Sequence, residues 1–123
     1  MSPFSLLDLG TSHTASQAIR ALLQSLTIDQ GTIACALAVN ERTVDRWLAD
    51  DGYPQREARK RLGDLGAVKD NLYRTFKTEE GVRLWMHTDS RYLGGLKPVD
   101  ALRAGRIDRV TAALIALDYG AFV

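Results

Sequence analysis

Apolar residues recur three or four positions apart along most of the chain, and nowhere do they alternate with polar ones in the two-residue rhythm of a half-buried strand. Ala15, Ala18, Ile19, Leu22, Leu23 and Leu26 form one such stripe, predicting a helix from about Thr14. Asp29 is placed to cap the next helix by accepting a bond from its free amides, and Ile33, Ala34, Leu37 and Ala38 line its inner face. Asn40 interrupts. Thr43, Val44, Trp47 and Leu48 then begin a third short helix, which Asp50-Asp51-Gly52 and Pro54 end. Ala58, Leu62, Leu65, Val68, Leu72 and Phe76 predict a longer helix, roughly Gln55 to Phe76. Gly63 and Gly66 inside it each weaken it by up to about 1 kcal/mol relative to Ala, which points to a bend or to close packing.

Thr78 is a cap for a further short helix, with Val82, Trp85 and Met86 on its apolar face and Leu84 to one side. Asp89-Ser90 and Gly94-Gly95 mark loops, and Pro98 suits the first position of a helix ending near Gly105. Ile107, Val110, Leu114 and Leu117 form the last stripe. Gly120 reads as its C-terminal stop, leaving Ala121-Phe122-Val123 as a short apolar tail. Residues 1–12 mix Ser, Pro, Gly and Thr with Phe4, Leu6, Leu7 and Leu9 and read as an irregular arm. The expectation is an all-α protein of two helical subdomains, residues 13–66 and 67–123, meeting around residues 66–77.

The stretch from Gln30 to Ala49 fits a helix-turn-helix. Such a unit crosses two short helices around a tight turn. Ala34 is the small residue where they touch, Ala38 the small residue at the turn, and Val44 and Trp47 the apolar anchors. If the second helix enters a major groove, Arg42 and Arg46 reach guanine edges or phosphates, and Asn40 and Thr43 stand outward at its start, near the backbone. The run Arg56-Glu57-Ala58-Arg59-Lys60-Arg61 would add phosphate neutralisation, chiefly from Arg56, Arg59 and Lys60. The same spacing also suits a three-helix packing unit with a solvated charged face, and Glu41, Asp45, Asp50 and Asp51 put negative charge where DNA would lie.

Composition narrows the classes further. The chain has 123 residues, with 46% hydrophobic and 25% charged, an ordinary globular balance. Sixteen Lys and Arg against 15 Asp and Glu give a net charge of +1, so any nucleic-acid contact must come from a local patch. Cys35 is the single cysteine. It can form no internal disulfide and is expected to be a small buried apolar residue. The first nine residues lack the basic and apolar regions of a signal peptide, and no window has the apolar length to span a bilayer. A soluble, cytoplasmic protein is expected. His13 and His87 have no metal-ligand spacing with each other or with Cys35. No Ser sits in a strand-turn-helix nucleophile motif, and Gly94-Gly95 lacks the Lys-Ser/Thr of a phosphate loop. No enzyme, metal or cofactor is expected.

The last 40 or so residues carry a more specific pattern: Trp85, the Leu93-Gly94-Gly95 loop, Pro98, Leu102, Gly105, Val110, Leu114 and Gly120, closing on Gly-Ala-Phe-Val. This set resembles the toxin-binding domain of the Xre/MbcA/ParS antitoxins, the ending being most similar to the MbcA branch. The front half fits as well, since these antitoxins carry an Xre-like helix-turn-helix there, so the resemblance spans about residues 14–123. It implies a partner: a RES-domain toxin that consumes NAD+. It also implies that Tyr119, Gly120, Phe122 and Val123 occlude the toxin's NAD+ pocket, with Arg91, Lys97 and Arg103 as polar contacts at the interface, and that operator DNA is a second partner. Oligomerisation is expected, directly or through the toxin. From the residues alone two other functions stay open: a helix-turn-helix regulator with no toxin partner, and a helical adaptor between proteins that binds no DNA.

Overall fold

A computed structural model describes residues 12–120. Seven α-helices follow one another: α1 Ser12–Leu26, α2 Gln30–Leu37, α3 Glu41–Leu48, α4 Arg56–Phe76, α5 Glu79–Met86, α6 Pro98–Arg103 and α7 Ile107–Gly120. A single 3-10 turn, Arg91–Leu93, stands between α5 and α6. No strand occurs among the described residues, so the fold is all-α. The arm expected over residues 1–12 lies outside the described residues except for Ser12, which already belongs to α1.

Three of the short helices begin on a side-chain cap. Asp29 Oδ1 accepts from the Thr32 amide (2.8 Å) and hydroxyl (2.6 Å) at the start of α2. Asn40 Oδ1 repeats the pattern with Thr43 (2.9 and 3.0 Å) at α3, so Asn40 is the cap of that helix rather than a mere interruption. Thr78 Oγ1 accepts from the Gly81 amide (3.0 Å) at α5. Each cap satisfies amides that the helix itself leaves unpaired. Pro98 opens α6, where a missing N–H costs nothing. Between α2 and α3 the turn is carried by Ala38, whose φ of 59° and ψ of 40° are left-handed, a conformation that normally favours glycine.

The apolar stripes meet in one buried cluster running from Ala18 to Leu114. Ile19, Leu22, Leu26, Ile33, Leu37, Leu62, Leu65, Leu72, Met86, Leu93 and Leu102 are its largest fully buried members. The long α4 is its axis and packs against α1, α2, α5 and α7. The strongest pairing is between α2 and α6, segments about 70 residues apart in the chain, and α5 in turn lies on α1. The front and back of the sequence therefore share a core.

Three expectations fail here. Ala38 does not line the inner face of α2: it is the exposed cap after the helix, where the left-handed turn carries it off the helical phase. Cys35 is exposed, not buried. Thr32, Ile33, Ala34, Ala36 and Leu37 take the inner face of α2, and at 100° per residue that phase turns position 35 outward. Gly120 does not stop α7 from a left-handed conformation. It is the last described residue of the helix, and its φ is not positive, unlike those of Gly52, Gly94, Gly95 and Gly105.

Candidate binding surfaces

Two surfaces carry the residues singled out from the sequence. The first is the outer face of α3 with the start of α4. The side chains of α3 that point inward are Val44 and Trp47, and Glu41, Arg42, Asp45 and Arg46 are left exposed. Arg42 and Arg46 are one turn apart and share a face. They are not equally available. Arg46 pairs with Asp51 at 3.6 Å. Asp45 accepts from Gln30 Nε2, and Asn40 and Thr43 spend Oδ1 and Oγ1 on each other. On α4, Lys60 pairs with Asp64 at 3.5 Å, whereas Arg42, Arg56 and Arg59 form no ion pair among the described residues. Arg59 is half-buried and Arg56 is exposed. Arg42, Arg56 and Arg59 are thus uncommitted, whereas Lys60 lines a pocket with Glu57, Arg61, Asp64 and Gly105 to Asp108.

The second surface surrounds the C-terminal end of α7. Its buried stripe is Ile107, Val110, Ala113 and Leu114. Ile115 (51% exposed) and Tyr119 (74% exposed) project from the opposite side, a second apolar pair at helical spacing outside the buried cluster of the described residues. Leu84 on α5 is 61% exposed and rims a shallow groove with Phe76, Gly81, Trp85 and Thr88. Trp85 and Thr88 also line a neighbouring hollow with Ser90, Arg91, Tyr92 and Leu117. Phe76 and Trp85 pack ring on ring, centroids 6.2 Å apart. The groove and the hollow run from α5 to Leu117 on α7, a side of that helix turned away from Ile115 and Tyr119. Phe122 and Val123 lie outside the described residues.

The polar candidates divide. The Arg91 guanidinium sits 5.0 Å over the Tyr92 ring and donates from Nη2 to Tyr92 Oη at 3.0 Å. Lys97 is exposed, and its carbonyl accepts from the amides of Asp100 and Ala101 at the start of α6. Arg103 turns back into the molecule. Its Nε donates to Thr32 Oγ1 (3.1 Å) and its Nη1 to Asp100 (3.3 Å). The Thr32 hydroxyl in turn donates to Asp29, whose carboxyl pKa the Thr32 bonds hold below the usual carboxylate range. Arg103, Thr32 and Asp29 thereby tie α6 to the first turn of α2.

Sequence reasoning missed three further ties between segments. Arg20 donates to the Leu48 carbonyl at 2.7 Å, at the end of α3. Tyr73 Oη donates to the Ser25 carbonyl at 3.1 Å, and burial pushes its phenol pKa up. His87 Nε2 donates to the Thr27 carbonyl at 2.8 Å, the capping role open to a histidine without metal partners. Among the described residues no cluster is suited to a metal ion, and no helix is long and apolar enough to cross a membrane.

The model of the antitoxin Xre/MbcA/ParS C-terminal toxin-binding domain matches residues 71–120. The chain is 34% identical over 112 residues to the mycobacterial cidal antitoxin MbcA of Mycobacterium tuberculosis and of Mycobacterium bovis, covering 91% of this chain and 95% of the relative. The chain belongs to the Xre/MbcA/ParS antitoxin family. A probable mycobacterial cidal antitoxin of M. tuberculosis is 33% identical over 119 residues, covering 95% of this antitoxin and 98% of the relative. The crystal structure of the M. tuberculosis MbcT-MbcA toxin-antitoxin complex contains a chain that superposes with a TM-score of 0.62 at 28% identity, covering 89% of this antitoxin and 97% of that chain. The reading of a toxin–antitoxin component that is not an enzyme agrees with this membership.

Proposed function

We propose that this antitoxin neutralises a RES-domain toxin that consumes NAD+ by placing its C-terminal end in the toxin's active site. The observation that carries the reading is the second apolar pair of α7, Ile115 and Tyr119, outside the buried cluster of the described residues and leading directly into Gly120-Ala121-Phe122-Val123. Exposed apolar surface of this kind marks partner contacts. Tyr119, Phe122 and Val123 would fill the pocket entrance beyond the seat of Gly120, and Arg91 and Lys97 would add polar contacts at the rim. Arg103 offers only the edge not engaged by Thr32 and Asp100. The functional division then falls near residue 66, the back half holding the toxin in the cytoplasm and the front half carrying the helix-turn-helix.

For the front half we infer operator binding by a self-associated antitoxin or its toxin complex, with Arg42, Arg56 and Arg59 as free cations, Arg46 and Lys60 released from their weak surface pairs, and Asn40 and Thr43 at the backbone. The self-paired charges on α3 favour a second reading for this half alone, a protein contact without DNA. Anisotropy on promoter DNA across a salt series separates the two: a steep loss of affinity with salt supports operator binding, and no binding at low salt refutes it. The toxin reading is tested by co-expression with a RES-domain protein encoded beside this chain. Rescue of growth and co-purification are expected, and toxicity that persists with the antitoxin present refutes it.

A further inference from the structure

Gly120 is a glycine that conformation does not explain. It is helical, with no positive φ, and alanine is the better helix former. Space explains it. A Cβ at this position would lie 2.6 Å from Tyr92 Oη, closer than carbon and oxygen can approach. Moving the tyrosine aside disturbs its packing. Its ring is half-buried against the core, and Arg91 covers the ring and donates to the hydroxyl at 3.0 Å. Leu117, one turn earlier on α7, lines the same hollow as Tyr92. The end of α7 is therefore seated on the 3-10 turn at a point where glycine leaves the room that a Cβ would take from Tyr92.

We propose that the Tyr92 hydroxyl is a steric stop that holds the last turn of α7 in place, and so positions Tyr119 for the toxin. This rests on the reading of the C-terminal end as a plug. Tyr92 is a positioning residue: it acts through Gly120, and Arg91 acts through Tyr92. A shift of the last turn displaces Tyr119 with it, and a binding group held about 1 Å out of place loses much of its effect.

The test is a cycle of Gly120→Ala, Tyr92→Phe and the double variant in the full chain, read by inhibition of NAD+ loss catalysed by the co-purified toxin and by thermal unfolding of the free antitoxin. G120A is expected to raise the concentration for half-inhibition about tenfold and to lower Tm, although alanine in a helix ordinarily raises it. Y92F, which removes the stop but keeps the ring, is expected to lose a few-fold (about threefold) in inhibition. The double variant returns to the Y92F level, and in that background alanine raises Tm. Equal loss from G120A with Tyr or Phe at position 92 overturns the proposal in favour of direct contact between Gly120 and the toxin. A rise in Tm with inhibition intact overturns the stop. Equal inhibition by the full chain and by one ending at Gly120 overturns the plug reading itself, and the Tm cycle then reports on the stop separately.

Discussion

Thr32→Val removes one oxygen from the joint between the two ends of the sequence. Thr32 is 1% exposed; its hydroxyl donates to Asp29 Oδ1 at 2.6 Å and accepts from Arg103 Nε at 3.1 Å. Valine fills nearly the same space, so the loss is hydrogen bonding, not volume. Each bond is worth about 1 kcal/mol net, more where one partner is charged. Asp29 keeps its bond from the Thr32 amide, and Asp29 and Arg103 are both open to water, which restrains the upper end. A total near 2 kcal/mol follows. Unfolding entropy of about 2.1 cal/mol/K per residue over 123 residues converts this to a fall in Tm of roughly 8 °C.

Arg103→Met keeps the apolar stem and loses the Thr32 bond plus a half-exposed pair with Asp100, costing about 1 kcal/mol. Because the two variants share one bond, the double variant should cost about 1 kcal/mol less than the sum of the two. Urea unfolding of all four proteins, with m unchanged, is the assay. Strict additivity, within about 0.3 kcal/mol, would show that Thr32 and Arg103 do not touch and would refute the joint between α2 and α6.

Two further expectations concern α2. Ala38→Gly relieves a left-handed alanine and should stabilise the protein by about 0.5–1 kcal/mol, an increase in Tm of a few degrees; a decrease would mean that the turn is not left-handed. The thiol of Cys35, exposed on α2, should react with Ellman's reagent in the native protein at a rate close to that after unfolding. A thiol that reacts only in denaturant would place it in the core.

What the sequence disclosed was mostly local. Helix phase gave the inner faces of α1, α4 and α5, and the caps Asp29 and Thr78 were recognisable because a short polar side chain preceding an apolar period has one clear use. Cys35 was misjudged because the tendency of cysteines to be buried was set above the phase of its own helix. Gly120 was misjudged because the last glycine of a helix usually serves its backbone, and nothing nearby in sequence announces a tyrosine 28 positions earlier. The engagement of Arg103 was hidden for the same reason: its partner Thr32 lies 71 residues away. Of the exposed pair Ile115 and Tyr119, Tyr119 was singled out through the family resemblance and Ile115 was missed, because attention went to the single stripe that builds the core.

The central claim is that the C-terminal end of this antitoxin silences an NAD+-consuming toxin by occlusion. The measurement that meets it most directly is toxin-catalysed NAD+ loss titrated with the full chain and with a chain lacking residues 121–123, both shown by circular dichroism to be equally helical. The full chain should abolish turnover near equimolar ratio, and the shortened one should need at least about tenfold more. Identical inhibition curves for the two folded proteins would contradict the account.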